Sequence, residues 1–461
     1  MNAEIQSIIQ AQRALFDSGV TQDVTYRKQK LKLLLKTLRL QEDRILDALK
    51  QDLKKHPFEA FGSEISTLMM ETRHALKNLS EWAKPQSVST PLIHWPAQSK
   101  IIREPLGLIL VFSPWNYPFF LSLAPIIGAV AAGNCCILKP SEFSPATTEL
   151  IKQILNEVFE PGHVAIIEGD GKTVGPELLS GPYFNHVFFT GSPAVGREVM
   201  KMAAEHLIPV TLELGGKSPA IVEVDANIKE SARRIVWGKF WNAGQTCIAP
   251  DYVLVHQSCY EDFIRECKFY IQKFYGNNAA MSESYGRMIH LKHLRAVATF
   301  IQQGELLYGG QVNEQDLFIE PTLIKVSDLE LGIMNKEIFG PVLPIVVFND
   351  TKEALEIISR NPDPLALYVF SKSRSTQNTY LNKVRFGGAG VNMPLLHFAT
   401  VDMPLEGIGT SGTGNYHGQY GFETFSHRKS ILASPLFPDL RLKYPPFPAL
   451  QGWLRWVLRK L

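Results

Sequence analysis

Cysteine is scarce in this sequence, and no long run of like charge occurs before the C-terminal tail. The chain has 461 residues and 5 cysteines, too few and too irregularly spaced for a disulfide framework. No pair has zinc-ligand spacing with a histidine partner, so we expect no metal. The first residues also lack the basic start and continuous apolar segment of a signal peptide. A reducing, cytoplasmic location is therefore expected.

Charge of one sign is not in excess either. The 47 lysines and arginines offset 45 aspartates and glutamates, which gives a net charge of +2. Nucleic acid is therefore not an expected partner. The sequence shows no internal repeat of fixed period and no low-complexity linker. Its length exceeds what one hydrophobic core usually supports, so two or more domains are expected.

The order of apolar patterns predicts a doubly wound α/β protein. Residues 1–85 repeat apolar positions at helical spacing and predict a helical packing region. From Leu106 onward, continuous apolar runs alternate with amphipathic ones, which is typical of buried parallel strands joined by helices. The alternation resumes after residue 214 and predicts a second α/β domain, with a helix from about Tyr260 to Tyr275. Residues 86–103 are rich in proline, serine and β-branched residues and predict a hairpin or an extended excursion.

Two loops carry features of a nucleotide site. In HVFFTGSPAVG a strand ends at Gly191, and Ser192 suits a helix N-cap, where unpaired amides and the helix dipole favour a phosphate. Gly191 and Gly196 lack the central glycine of GxGxxG, so an ordinary capped turn explains these letters equally well. In NCCILKPSE, Lys139 and Glu142 follow another strand, where open α/β sheets bind ligands. A solvated loop is the alternative there, but together the two loops favour a dinucleotide.

Three side chains suggest nucleophilic catalysis. Cys247, in WNAGQTC, lies between a predicted helix and a strand, among small and polar residues. A cysteine with its usual pKa of about 8.5 needs a base, local amides or a positive neighbour to react at neutral pH. Glu213, in TLELGGKSP, is a carboxylate in an apolar strand, where burial would raise its pKa toward that of a general base; pairing with Lys217 is the alternative. Asn116, in FSPWNYP, could donate to an oxyanion or simply make a turn.

Seven segments stand in one order along the chain: PWNYP, LKPSE, FTGSPAVG, LELGGKSP, GQTCIAPDY, EIFGPVLP and GNYHGQYGFETFSHR. In this order and at these separations they closely resemble the aldehyde dehydrogenase superfamily, and specifically its short class 3 branch. The resemblance runs from the first helices to about Pro446. It implies a dinucleotide-binding domain at 1–85 and 104–214, a catalytic domain at 215–412, and a bridging and oligomerisation element at 86–103 and 413–446.

The resemblance implies oxidation of an aldehyde to a carboxylic acid with NAD or NADP. Cys247 would attack the aldehyde carbonyl to give a thiohemiacetal, whose oxyanion Asn116 and the backbone amide of Cys247 would hold. After hydride transfer, Glu213 would activate the water that hydrolyses the thioester. Relatives that transfer the acyl group to coenzyme A typically lack this base, so a CoA-acylating enzyme is a weaker alternative. A catalytically silent scaffold and a cofactor-free esterase are the others.

The resemblance also implies the residues of a cofactor site. Lys139 and Glu142 would hold the adenosine ribose, and Ser192 with the Gly191 to Gly196 loop would meet the pyrophosphate. A carboxylate at Glu142 argues against a bound 2′-phosphate, so NAD is favoured and NADP stays open. The further residues implied are those around the nicotinamide and its ribose: Gly215, Glu337 and Phe339.

The resemblance says less about the substrate. Class 3 members are homodimers, and the residues here that match their substrate tunnel are Tyr117, Trp237, Trp241 and His397. In VDMPLEGIGTSG, Leu405 and Glu406 replace the aromatic residue and first glycine of the common Pro-Phe-Gly-Gly. That segment borders the substrate entrance and leaves the substrate class in doubt. Medium- or long-chain aliphatic aldehydes are expected first, and aromatic aldehydes second.

The C-terminal letters PPFPALQGWLRWVLRKL predict an amphipathic helix within residues 447–461 with a basic polar face. It is too short and too charged to span a bilayer, which needs about 20 apolar residues. It could lie on a membrane surface, as in fatty aldehyde dehydrogenases with a C-terminal anchor. It could equally pack against the dimer partner or cap the substrate tunnel. The predicted apolar face consists of Leu450, Trp453, Leu454, Val457, Leu458 and Leu461.

Overall fold

Helices and strands alternate along the chain as the sequence predicts. The structure is a computed structural model that describes residues 2–439, 444–446, 449 and 451–460, without the side chains of residues 453, 454, 457 and 458. The α-helices are α1 (Ala3–Asp17), α2 (Val24–Leu40), α3 (Glu42–Leu53), α4 (Pro57–Ala60), α5 (Ser66–Trp82), α6 (Pro118–Ala132), α7 (Pro145–Val158), α8 (Gly171–Leu178), α9 (Pro193–Ala204), α10 (Ile228–Phe240), α11 (Tyr260–Tyr275), α12 (Leu291–Ala298), α13 (Gly332–Asn335), α14 (Thr351–Ser359), α15 (Arg374–Lys383), α16 (Gly418–Thr424) and α17 (Gly452–Lys460). The strands are β1 (Gln86–Val88), β2 (Gln98–Pro105), β3 (Leu108–Phe112), β4 (Cys135–Lys139), β5 (Val164–Ile166), β6 (His186–Gly191), β7 (Val210–Leu214), β8 (Pro219–Val222), β9 (Tyr252–His256), β10 (Glu305–Tyr308), β11 (Val312–Asn313), β12 (Phe318–Ile319), β13 (Thr322–Lys325), β14 (Val342–Phe348), β15 (Ala366–Phe370), β16 (Gly388–Val391), β17 (Leu405–Glu406), β18 (Gly412–Thr413), β19 (Asn415–Tyr416) and β20 (Ser426–Ala433).

The first large sheet contains most strands of the N-terminal half, in the order β18-β7-β6-β3-β4-β5. Strands β3 to β7 pair in parallel, and β18 returns late in the chain to pair antiparallel with β7. Every residue of β3 and β4 is buried, because helices cover both faces of a parallel sheet. The carboxyl ends of β4, β3, β6 and β7 therefore lie side by side at one edge.

The second large sheet belongs to the C-terminal half and has the order β10-β13-β14-β9-β8-β15-β16. All its pairs are parallel except that of β10 with β13. Helix α11 spans Tyr260–Tyr275, which confirms the predicted helix. The two parallel sheets confirm the predicted α/β class.

A small antiparallel sheet projects from this body. Strand β2 pairs with β1 on one side and with β20 on the other. Strands β1 and β2 form the excursion that the sequence predicts at 86–103, and β20 lies within residues 413–446, which the resemblance assigns to the same bridging element. The large apolar side chains of this region include exposed ones, namely Val88, Leu92, Trp95 and Leu432.

Helix α17 lies within the predicted tail helix at Gly452–Lys460. The side chains of its predicted apolar face lie outside the described residues, so the amphipathic pattern stays a prediction. Trp456 is 64% exposed. In the part of the chain that the structure describes, no helix has the length and apolar content needed to cross a membrane.

Candidate active site

Cys247 lies in a tightly turned segment between α10 and β9. After α10 the chain adopts a left-handed backbone at Asn242 and Ala243, with φ of 53° and 51°. This conformation is uncommon for residues other than glycine and is costly unless its surroundings hold it. The amide of Asn242 donates to Glu59 Oε1 at 2.8 Å, and its Nδ2 donates to the Asn116 carbonyl at 2.8 Å. These bonds fix the turn that presents the thiol.

Gln245 connects the same segment to residues 287–289 through hydrogen bonds of its side chain. It is fully buried. Its Nε2 donates to the Arg287 carbonyl at 2.9 Å, and its Oε1 accepts from the Ile289 amide at 3.0 Å. The polar residues Asn242 and Gln245 before Cys247 therefore stabilise the conformation of this loop through their hydrogen bonds.

Asn116 reaches this loop from the first sheet. It follows β3, is 3% exposed and donates from Nδ2 to the Gln245 carbonyl at 3.1 Å. A side-chain amide has two N–H donors, and this bond uses one of them. Next to it, the Tyr117 hydroxyl lies 2.6 Å from Thr246 Oγ1. With the bond from Asn242 Nδ2 to the Asn116 carbonyl, three hydrogen bonds join the Asn116 segment to the Cys247 segment.

Glu213 lies near the end of β7, next to the strand that ends at Gly191. It is 3% exposed, and neither carboxylate oxygen has a hydrogen-bond partner among the described residues. Burial raises its pKa well above the ordinary value, and the negative charge of Glu406 raises it further. The alternative pairing with Lys217 is not what the structure shows, because Lys217 Nζ donates to Asp251 Oδ2 at 2.5 Å. A buried carboxylate with a raised pKa suits a general base.

One cavity of about 240 Å³ brings Cys247 and Glu213 together. Its wall is mostly apolar, and polar groups are few. The other residues that line it are Gly62, Ser63, Thr67, Tyr117, Leu121, Thr190, Leu214, Trp237, Trp241, Thr246, Ile248, Leu365, Leu395, Leu396, Phe398, Ala399, Leu405 and Tyr416.

Three of the four predicted substrate residues line the cavity, and one does not. Tyr117, Trp237 and Trp241 line it, and the two indole rings meet edge to face with centroids 5.3 Å apart. His397 is not among the lining residues. The centroid of its ring lies 5.8 Å from that of the Tyr368 ring. Its two neighbours in the chain, Leu396 and Phe398, do line the cavity. Asn116 is not among the lining residues either, although its neighbour Tyr117 is.

The environment of Cys247 favours the thiol over the thiolate. Burial raises its pKa to about 12, and the nearby carboxylates of Glu337 and Glu213 add to the effect. A thiol in this state needs a base or a positive charge before it can act as a nucleophile.

Alkylation of Cys247 by iodoacetamide should therefore be slow at pH 7 and should accelerate about tenfold for each pH unit up to pH 9, because the thiolate fraction grows in that proportion below the pKa. The rate is measured by mass spectrometry of the peptide that contains Cys247, with the cofactor absent. Cys259, which lies in the same tryptic peptide 240–265, serves as the internal control, and fragment ions distinguish the two sites. A rate that levels off below pH 8 would contradict the raised pKa.

The predicted ribose-binding pair lies at the carboxyl end of β4. Lys139 Nζ donates to Glu142 Oε2 at 3.0 Å, and the Gly171 amide donates to Glu142 Oε1 at 3.4 Å. Burial alone would raise the pKa of Glu142, but hydrogen bonds, including that from Lys139, bring it below the ordinary value. Glu142 thus stays ionised. At the end of β6, the Ser192 hydroxyl accepts from the Val195 amide and caps α9, as predicted.

The predicted nicotinamide residues Gly215 and Glu337 lie against each other beyond the end of β7. Glu337 is so close to Gly215 that any side chain there would collide with its carboxylate. Burial raises the pKa of Glu337 to about 8, and Asp251 contributes to the rise. Phe339 adopts a left-handed backbone with φ of 49°, and its carbonyl lies 2.8 Å from His293 Nε2. Gly196 packs against Leu214, where a Cβ would also collide.

Sequence reasoning missed the contribution of the first 85 residues. Gly62, Ser63 and Thr67 form part of the cavity wall, and Glu59 supports the Cys247 turn. Glu64 could have indicated this contribution, because it is a charged residue between two apolar residues at helical spacing, Ala60 and Leu68.

Comparison with known proteins agrees with the geometry. The sequence model of the aldehyde dehydrogenase family matches residues 1–431. The chain is 42% identical to a 4,4'-diaponeurosporen-aldehyde dehydrogenase of Staphylococcus aureus, over 94% of this chain and 95% of that protein. It is 38% identical to a dog protein named aldehyde dehydrogenase, dimeric NADP-preferring, over 96% of this chain and 98% of that one. A structure described as the substrate-bound state of Staphylococcus aureus AldH superposes with a TM-score of 0.95 at 40% identity and full coverage of both chains.

Proposed function

Since the chain belongs to the aldehyde dehydrogenase family, we propose that it oxidises medium- or long-chain aliphatic aldehydes to carboxylic acids through a thioester on Cys247. The chain is an aldehyde dehydrogenase, and aldehyde oxidation is the activity of its family. The observation that carries the finer proposal is the shared apolar cavity, whose wall contains the thiol of Cys247 and the carboxylate of Glu213.

The chemistry assigns one role to each side chain. Cys247 adds as its thiolate, after its proton has passed to solvent: Sγ bonds to the aldehyde carbon, and the second Nδ2 proton of Asn116 and the Cys247 amide donate to the oxyanion that forms. A bound NAD or NADP would supply the acceptor for the hydride that leaves the carbon attached to Cys247. Glu213 then removes a proton from a water molecule, which attacks the thioester carbonyl and releases the acid and the thiol.

The residues present suit a dinucleotide with a bare ribose. Glu142 is ionised beside Lys139, so it can accept from ribose hydroxyls while it repels a 2′-phosphate. The N-terminus of α9 offers amides to a pyrophosphate. At the opposite end, the lack of a side chain at Gly215 lets the Glu337 carboxylate lie directly against the backbone. NAD is therefore the proposed cofactor, and NADP the alternative.

The proposed substrate class follows from the side chains that line the cavity. Its side chains are mostly apolar, so they favour a hydrocarbon chain over a polar aldehyde. Leu405, which replaces the usual aromatic residue, lines the cavity. The edge-to-face pair of Trp237 and Trp241 favours the second candidate, an aromatic aldehyde.

Initial rates of NADH formation test these proposals. The panel runs from acetaldehyde through hexanal, decanal and hexadecanal to benzaldehyde, with NAD and NADP compared at each step. A kcat/KM that rises with chain length supports an aliphatic substrate. Activity with benzaldehyde alone would replace it with the aromatic candidate, and a rate that increases on addition of coenzyme A would favour the CoA-acylating alternative, which the presence of Glu213 opposes.

A homodimer is also proposed, with the small sheet of β1, β2 and β20 at the contact. Exposed apolar side chains of this region support it, since Leu92 is 72% and Trp95 is 60% exposed. The dog relative is named dimeric. Sedimentation equilibrium of the full chain gives the assembly mass directly.

The tail prediction concerns binding to membranes. Because α17 carries Arg455, Arg459 and Lys460, we expect the full chain to co-sediment with vesicles that contain anionic lipid, and removal of residues from Gln451 onward to abolish this binding. Neutral vesicles are the control. Equal binding by the full-length and truncated proteins, or no binding by the full-length protein, would contradict the membrane proposal. Either result would favour packing of the tail on protein.

A further inference from the structure

Three ionisable side chains lie buried behind the cavity wall, between the N-terminal helices and Asn116. Lys55 lies between α3 and α4, Glu59 lies in α4, and Glu64 lies in the single π-helical turn Phe61–Ile65 that follows. Lys55 is 1% exposed and Glu64 is not exposed at all. Burying a charge is costly unless it is paired and hydrogen-bonded, so the partners of these groups indicate what the fold gains.

Lys55 bonds to the backbone of Asn116. Its Nζ donates to the Asn116 carbonyl at 2.9 Å and forms an ion pair with Glu64 Oε1. The same ammonium lies 4.1 Å from the centroid of the Tyr117 ring, within the range of a cation–π interaction. Lys55 thus contacts both residues through which the first sheet approaches the thiol segment.

Glu64 fixes the start of the helix that follows Asn116. Its Oε2 accepts from the Phe119 amide at 2.8 Å and from the Phe120 amide at 3.2 Å. Both amides belong to the first turn of α6, where N–H groups lack helical partners and a negative charge is stabilising. One carboxylate therefore binds Lys55 with one oxygen and the helix start with the other.

We infer that Lys55 and Glu64 are positioning residues, which hold Asn116 so that its amide meets the oxyanion formed at Cys247. This inference rests on the proposed function, because the aim of the Asn116 amide matters only if that oxyanion forms. Neither Lys55 nor Glu64 lines the cavity, so neither contacts the substrate directly. They act by fixing the backbone on both sides of Asn116: its carbonyl is bound by Lys55, and the helix three residues later is bound by Glu64.

The Lys55→Met variant should lower kcat by about 10- to 100-fold, because a small misplacement of a catalytic group has effects of that size. NAD affinity, measured by fluorescence titration, should not change. Lys55→Met alone leaves Glu64 as an unpaired buried charge and should lower Tm. The double variant Lys55→Met/Glu64→Gln removes both charges while the side-chain oxygen at position 64 still accepts from α6, so Tm should recover and kcat should not.

Two comparisons separate positioning from general stability. Arg27 is also buried and donates to the Ala131 carbonyl at the far end of α6, at 3.1 Å. Its replacement by methionine should lower Tm with kcat preserved. In an Asn116→Ala background, Lys55→Met should cause little further loss, since its effect passes through Asn116.

Recovery of wild-type kcat in the double variant would overturn the inference. So would a loss in the Asn116→Ala background as large as in the wild type. Failure of the unmodified protein to reduce NAD or NADP with any aldehyde is a different result, because it would overturn the proposed function and the inference with it.

Discussion

Replacing Cys247 with alanine should lower the rate of aldehyde-dependent NADH formation by about 10⁴-fold or more, the scale on which loss of a catalytic nucleophile acts in other enzymes. Without Sγ, an aldehyde in the cavity has no nucleophile to form the tetrahedral carbon from which hydride leaves. The turn that carries the thiol is held by Asn242 and Gln245, not by Cys247, so the fold should persist. Initial rates with saturating decanal and NAD measure the effect.

Cys259→Ala is the matched control. Cys259 is a buried thiol, 7% exposed, whose sulfur contacts the Val224 carbonyl, and it is not among the residues that line the cavity. This variant should retain wild-type kcat, and both variants should retain NAD affinity. Residual activity of Cys247→Ala within tenfold of the wild type would remove the thiol from the proposed mechanism.

The fold could be predicted because its strands are buried on both faces. Strand β3 is apolar throughout, and β4 and β9 are apolar up to their last residues, Lys139 and His256. The amphipathic pattern of α11 allowed the bounds of that helix to be predicted. Strand β18 could not be predicted. It has two residues, Gly412–Thr413, and its pairing with Glu213 and Leu212 joins positions some 200 residues apart, for which a local pattern carries no signal.

The gathering of the motif residues at one edge follows from parallel pairing. Lys139, Asn116, Gly191 and Glu213 lie at or beyond the ends of β4, β3, β6 and β7, which are neighbours in that order. Spacing along the chain does not reveal which loop turns inward. The loop at 392–399 takes left-handed backbone at Asn392 and Leu395, and it places Leu396 and Phe398 on the cavity while His397 points to Tyr368.

Buried charge was the least predictable feature. Glu64 interrupts an apolar row, but its partners are Lys55 on one side and the amides of Phe119 and Phe120 on the other. Glu59 reaches Asn242, 183 residues away. A sequence gives the charge, and only the fold gives the group that compensates it.

Replacing Glu213 with glutamine should slow steady-state turnover by about 10²- to 10⁴-fold, the usual contribution of a general base. Acylation and hydride transfer need Cys247 and Asn116, so the variant should still release one NADH per active site in the first turnover. Glutamine has nearly the same shape, and the wild-type carboxylate has no hydrogen-bond partner among the described residues, so the cavity should not rearrange. Rapid-mixing absorbance measures the burst, and mass spectrometry of the quenched protein should find the acyl group on Cys247.

The pH dependence of the same step has a definite sign. Glu213 must be ionised to accept a proton, and burial places its pKa well above the ordinary value, so hydrolysis in the wild type should rise with pH as the carboxyl ionises. In Glu406→Gln the removal of a nearby negative charge should lower that pKa and move the rise to lower pH, with the high-pH rate retained. Glu213→Gln should lose this limb altogether. A variant that loses the burst as well would show that Glu213 also deprotonates Cys247, whose thiol carries the raised pKa of about 12, and would assign both proton transfers to one carboxylate.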